Sequence, residues 1–493
     1  MRFRISVTAT IGAGALLAAC QEAPTTARTP VPSFSALGAG SISVVNVSRD
    51  TTAQNETPLA VNPANPLNLI TGNNDWNNND GCGVNASFDG GKTWTRTLPN
   101  GFIPGITKYT NDPAVAGTGV YDYAGDPAVA FSPDGNTAYF ACFGYQGSPP
   151  YGVALFLSRS NDGGRIWTGG VGTGAPLTLV SAFTGNGQAK GSTGQFPDHE
   201  SIHVAIDGTI YIPWAQFTGY SVHSPIFISV SRDGGNSFTA PVQVTSGSVL
   251  SDQDARIVTD PATGYAYLTF DNYILGGKGT AMFVSVSKDH GATWSKPFKF
   301  ATFQNPVCLY PGYCFNISGT PFRAPGSYPA PAFDPTTKRL YVAYTDIVNG
   351  TAQIFLTSAD VRAITTWSAP AVVAPASGDR INVELSVEPS NGRLDLMTND
   401  RSYTNNTLFD ISYITSADGG RTWSTTRVTK SSWDPSAYGV PCGSCASGIR
   451  PFIGDYDGIV SLPGSAAMTW TGPGKTYGAV PDNLEVYFAS VTP

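Results

Sequence analysis

Charge is what this chain has least of. Only 13% of its 493 residues are Asp, Glu, Lys or Arg, about half the usual share. The 28 basic residues are outnumbered by 35 acidic ones, for a net charge of −7, and they form no cluster. Binding a phosphate backbone needs such clusters, which excludes nucleic acid as a partner. Long stretches of helical periodicity are missing, which excludes bundles and α/β folds. Also missing are a phosphate-cradling glycine loop, a nucleophile elbow, a His-Glu-x-x-His helix and a dinucleotide fingerprint. What is plentiful is the material of turns and sheets: 55 Gly, with 25 Phe, 22 Tyr and 9 Trp.

One pattern recurs five times. It begins at Ser87, Ser160, Ser231, Ser287 and Ser416 and reads Ser-x-Asp-x-Gly-x-x-Trp/Phe, as in Ser87-Phe88-Asp89-Gly90-Gly91-Lys92-Thr93-Trp94. Each copy follows alternating apolar residues, such as Val153 to Leu157, and precedes another short extended run. Asp-Gly between two such runs is a hairpin signal, because Gly supplies the positive φ of a tight turn. The Asp carboxylate and Ser hydroxyl are expected to accept amides of their own turn, and the aromatic to pack inward. These aspartates are turn chemistry and not catalytic groups.

The gap from Ser287 to Ser416 is about double the others, and Ser358-Ala359-Asp360 with Trp367 stands within it as a degraded copy. Four strand-like runs per unit predict an all-β fold, a β-propeller of four-stranded blades. After the last copy, Phe452 to Val460, Ala466 to Trp470 and Leu484 to Ala489 supply three strands, and Ile42 to Val47 would add the fourth from the other end of the chain. That closes seven blades without a free edge; six blades and a decorated tail is the alternative.

The first residues read as an address. Arg2 and Arg4, an apolar stretch from Ile5, and Leu17-Ala18-Ala19-Cys20 resemble a bacterial lipoprotein signal. Residues 1–20 are then a signal peptide with Cys20 lipidated, 21–40 a flexible tether and 41–493 a single propeller domain, exported and held to the cell envelope only by its lipid. Six cysteines remain, an even number for an exported protein, and the expected disulfides are Cys82–Cys142, Cys308–Cys314 and Cys442–Cys445.

The five boxes resemble the Asp-boxes of the bacterial sialidase (BNR-repeat) superfamily over nearly all of residues 41–493. Further phrases, Gly125-Asp126-Pro127-Ala128, Asp198-His199-Glu200 and Phe452-Ile453-Gly454-Asp455-Tyr456, resemble exported exo-α-sialidase-like proteins. The resemblance implies that the boxes lie away from the active face. Function then falls to the face built by the loops entering each first strand and those joining strands two and three. It also implies a monomer that binds a glycan or glycoconjugate and, as an enzyme, hydrolyses terminal acidic sugars: three Arg hold the sugar carboxylate, an Asp donates a proton and a Tyr assisted by a Glu attacks.

The residues available for those roles are Asp198, Glu200, Asp455, Tyr456 and Tyr403 for catalysis and Arg256, Arg380, Arg450, Arg401, Trp76 and Trp214 for binding. The family's Arg-Ile-Pro motif before the first box has no counterpart; Phe322-Arg323-Ala324-Pro325 stands far downstream. Strict alternation puts Asp198 and Glu200 on one side of their segment and His199 on the other. No cofactor or catalytic metal is expected, while Asn73 to Gly81 is oxygen-rich enough for a structural calcium. A non-catalytic binding propeller and a polysaccharide lyase with His199 or His203 as base are the alternatives.

Overall fold

The computed structural model describes residues 42–49, 52–76, 81–96, 106–108, 117, 119–149, 151–169, 176–183, 194–219, 223–247, 249–272, 280–304, 326–441, 449–474 and 483–493. They form seven antiparallel blades, each a sheet of four successive layers of strand, and no α-helix is present among them. The innermost strands begin at Gln54–Asn55, Tyr123–Phe131, Gln195–Asp198, Asp252–Thr259, Ala330–Asp334, Arg380–Val387 and Gly458–Leu462, in blades one to seven. In blades one and three a second short piece, Leu59–Val61 or His203–Val204, continues the inner strand.

The ring closes as the sequence predicts. Val44–Asn46 pairs antiparallel with Leu484–Val491, setting Val44 opposite Ala489, and becomes the outer strand of the seventh blade. Buried apolar residues collect in the seams between blades. Ile70 and Val84 of the first blade meet Phe140 and Trp167 of the second, and Leu69 meets Phe488 of the seventh. Alternating side chains make both faces of each sheet apolar, so every blade needs two neighbours and a closed circle satisfies all seven.

The box turns have the expected chemistry. In the first, Ser87 Oγ donates to Asp89 Oδ1 (2.9 Å) and accepts the Gly91 amide (2.9 Å), while Thr93 N donates to Asp89 Oδ1 (2.9 Å). Hydrogen bonds from Thr93, Ser87 and the Lys92 amide outweigh burial and hold the Asp89 carboxyl below its ordinary range. The second glycine has a further reason to be Gly: Gly91 sits at φ +84°, and a Cβ there would lie 2.0 Å from the Phe488 ring of the neighbouring blade. The degraded copy keeps part of the pattern, with Asp360 Oδ1 accepting Arg362 N and Trp367 Nε1 donating to the Ile364 carbonyl. Register fixes where the turns lie. In the first blade Leu69 pairs with Ser87 at the box end, and Asp75 pairs with Gly81 and Gln54 at the other. The boxes and the starts of the inner strands are therefore at opposite ends of the blades.

Candidate functional site

The inner strands share a backbone irregularity that the sequence reading missed. Glu56, Asp126, His199, Asp254 and Asn382 all adopt positive φ, between 48° and 59°, at the same point of five different blades. Pairing with the second strand skips there, between Gly125 and Ala128, Gln253 and Arg256, and Ile381 and Glu384. Such a bulge bends the strand and re-aims the next side chains. It also breaks the alternation expected for Asp198-His199-Glu200, which is why His199 turns to the hub together with Glu200. A sequence signal existed: each of these residues precedes the box serine of its own blade by a nearly constant interval, Glu56 before Ser87, Asp126 before Ser160, His199 before Ser231, Asp254 before Ser287 and Asn382 before Ser416.

His199 is the centre of the resulting network. Its Nε2 is 3.2 Å from Asp455 Oδ2 and its Nδ1 3.6 Å from Asp254 Oδ1. Its backbone amide donates to Asp126 Oδ2 (2.8 Å), and its ring meets those of Tyr328 and Tyr456 edge-on. Burial opposes a charged imidazole, but the bonds to Asp254 and Asp455 outweigh it and raise the pKa well above 6.5. Around it, Asn74 links Glu56 to the Asp126 amide, and Gln253 Nε2 donates to Asp198 Oδ2. Arg256 bridges Asp254 (3.0 Å) and Glu384 (2.5 Å), which overcomes its burial and raises its pKa further. Asp457, buried, accepts from Thr57 Oγ1, Asn382 Nδ2 and the Thr471 amide, and desolvation lifts its pKa to about 8.

A cavity of about 130 Å³ opens here, lined by Pro58, Pro127 to Val129, His199 to Ile202, Asp254, Arg256, Tyr456 and Asp457. Glu200, in its wall, is 3% exposed and has no hydrogen-bond partner for either carboxyl oxygen. Desolvation first, then the nearby Asp126 charge, raises its pKa well above the usual value and favours the protonated acid. Asp126 is raised less, to about 6, by burial and then by the Asp198 charge, with His199 pulling the other way.

The structure thus brings together Asp198, Glu200, Asp455, Tyr456 and Arg256, and leaves the other expected site residues elsewhere. The Tyr456 phenol donates to the Pro127 carbonyl (2.9 Å), and burial raises its pKa well above 10, which keeps it a phenol and not a phenolate nucleophile. Arg380 is buried within its own blade on Asp400 (2.8 Å), and Arg401 on Asp379 (3.1 Å). Arg450 is exposed on a separate pair of short strands, so Arg256, Arg380 and Arg450 share no ligand site. Tyr403 bonds Ser412 beneath Arg427, outside the cavity lining. Trp214 is fully buried, donating to Gln216 and stacked on Phe227, and so has no face for a sugar. Trp76, half-buried, donates to Asn55. His203 is held by Thr259, and burial lowers its pKa to about 4.

Cys82 and Cys142 form the expected disulfide between the first two blades. Cys20, Cys308, Cys314, Cys442 and Cys445 lie outside the described residues, as do the signal and tether. Of the oxygen-rich segment, Asn73 to Asp75 are buried in a strand, and Asn74 is engaged in the hub. Among the described residues no three His, Cys, Asp or Glu side chains are placed to hold a metal ion.

No family model and no curated protein matches the chain. Solved structures similar to it include an ulvan lyase bound to a glucuronyl–sulfated rhamnose fragment (11% identity, 90% of this chain and 95% of that one, TM-score 0.48). Another is the Penicillium chrysogenum α-L-arabinanase with arabinobiose (14%, 74% and 92%, TM-score 0.42). A third is the Trypanosoma rangeli sialidase with the inhibitor DANA (12%, 72% and 54%, TM-score 0.39).

Proposed function

We propose that this propeller hydrolyses glycans at the loop-bearing end of its hub, with Glu200 as proton donor. The observation that carries the reading is a buried carboxyl without a partner in the wall of a cavity. A buried carboxyl whose pKa is raised by desolvation, near a second carboxyl that ionises near pH 6, is the division of labour that glycoside cleavage needs. Glu200 protonates the departing glycosidic oxygen as the C–O bond breaks, water adds to the anomeric carbon, and Asp126 receives the water's proton. The cavity is near the size of an engineered one, ~150 Å³, that admits a single benzene ring. That favours one sugar ring at a time, taken from a chain end.

The lyase alternative needs a neutral histidine or a phenolate as base: Asp254 and Asp455 raise the pKa of His199, burial raises that of Tyr456, and His203, whose pKa is low, stands outside the cavity lining. The Asp-box resemblance of the five turns supports descent from sialidase-like propellers, and the N-terminal pattern ending at Cys20 supports an exported lipoprotein. Metabolic labelling with a fatty acid that persists in Cys20→Ala would remove the lipid anchor from this account.

The test is a glycan panel assayed for new reducing ends and, in parallel, for unsaturated products absorbing in the ultraviolet. Reducing ends are expected, with kcat/KM reduced about 10²–10⁴-fold in Glu200→Gln. Unsaturated products, or a Glu200→Gln enzyme of undiminished rate, would overturn the assignment.

A further inference from the structure

We infer that the sugar ring taken by this cavity carries no carboxylate: the substrate is an uncharged glycan end, not a sialoside or uronide. This rests on the hydrolase reading and adds the charge of the substrate to it. An acidic sugar is normally received by guanidinium groups with free N–H forks. Two basic side chains line the cavity, and each already faces two carboxylates. His199 lies between Asp254 and Asp455, and Arg256 between Asp254 and Glu384. The buried Arg380 and Arg401 are closed off on Asp400 and Asp379.

The walls themselves are rich in acceptors. Glu200 has two buried oxygens with no donor, and Asp457 shares the lining. A carboxylate entering here would meet acid side chains and no unmatched cation among the described lining residues, a selection against the wrong ligand. Sugar hydroxyls are donors and supply what Glu200 lacks. The expectation of an acidic sugar, which came with the Asp-box resemblance, therefore does not extend to this cavity.

The experiment compares aryl glycosides identical except at C6, glucoside against glucuronide and galactoside against galacturonide, together with an aryl sialoside. At least about a 100-fold preference in kcat/KM for a neutral member is expected. Equal or faster turnover of a uronide or the sialoside overturns the inference and leaves the hydrolase standing. If no member is cleaved, the hydrolase reading fails, and calorimetric titration with the free neutral and acidic sugars decides the charge claim alone: tighter binding of the acidic sugar overturns it. Glu384→Gln, which removes the charge of one of Arg256's two partners, is expected to narrow the neutral preference about tenfold, and an unchanged or wider preference in the folded variant counts against it.

Discussion

His199 of the third blade and Asp455 of the seventh, 256 residues apart in sequence, meet at 3.2 Å across the hub of the propeller. A ring closed by a strand at its rim is thus also tied through its middle. Both partners are buried, so removing one takes away part of what compensates the other.

That pair sets a pH dependence. The folded pKa of His199 lies above its ordinary 6.5, so its stabilisation is complete below pH 6.5 and is lost as pH rises through the folded value. In Asp455→Asn the imidazole resonances should titrate at lower pH in NMR, and the loss of stability on the alkaline side should shrink. An unmoved titration would mean that the contact does not form in solution.

Asp457 adds to the same trend. Its folded pKa is about 8 against an ordinary 3.8, so the folded state holds the extra proton in between, and stability falls as pH rises from about 4 to about 8. Asp457→Asn gives up one hydrogen bond, because Asn382 Nδ2 also donates there, at a cost of about 1 kcal/mol. In return its denaturant midpoint should vary less between pH 5 and pH 9 than that of the wild type.

The box turns should matter to stability and not to rate. Gly91→Ala places a Cβ against Phe488 at a left-handed φ and should cost about 2–4 kcal/mol. Asp233→Ala, on the box side of the third blade, should lower the melting temperature while leaving kcat/KM within twofold. A large loss of rate in folded Asp233→Ala would mean that the two ends of the blades have been assigned the wrong way round.

Cys82 and Cys142 close a loop of 60 residues between the first two blades. Cys142→Ala, or reduction of the wild type, should lower unfolding free energy by about 2–4 kcal/mol in chemical denaturation. Equal midpoints with and without reductant would remove the disulfide's structural role.

The fold was legible because it is periodic. The Ser-Asp-Gly turns are local, need only the chemistry of eight residues, and return at a spacing that names the blade; the closing strand followed from a missing fourth partner for Leu484 to Ala489. The site was only half legible. Glu200, Asp198, Asp455 and Arg256 could be placed by counting strands, yet their roles depend on who pairs with whom across the hub. Arg380 and Asp400 sit opposite each other in register, so one neutralises the other, and no property of Arg380 in the sequence marks it as taken. His199 was sent to the wrong side because alternation assumes a regular strand, and its bulge is made by a non-glycine residue with positive φ.

The most direct test of Glu200 as proton donor is the dependence of rate on the leaving group. A proton donor matters for a poor leaving group and hardly at all for an acidic phenol. For Glu200→Gln, kcat/KM should fall at least about 100-fold on unactivated glycosides yet stay within about tenfold of wild type on dinitrophenyl glycosides. An equal fall on both, with the fold intact, would contradict the assignment.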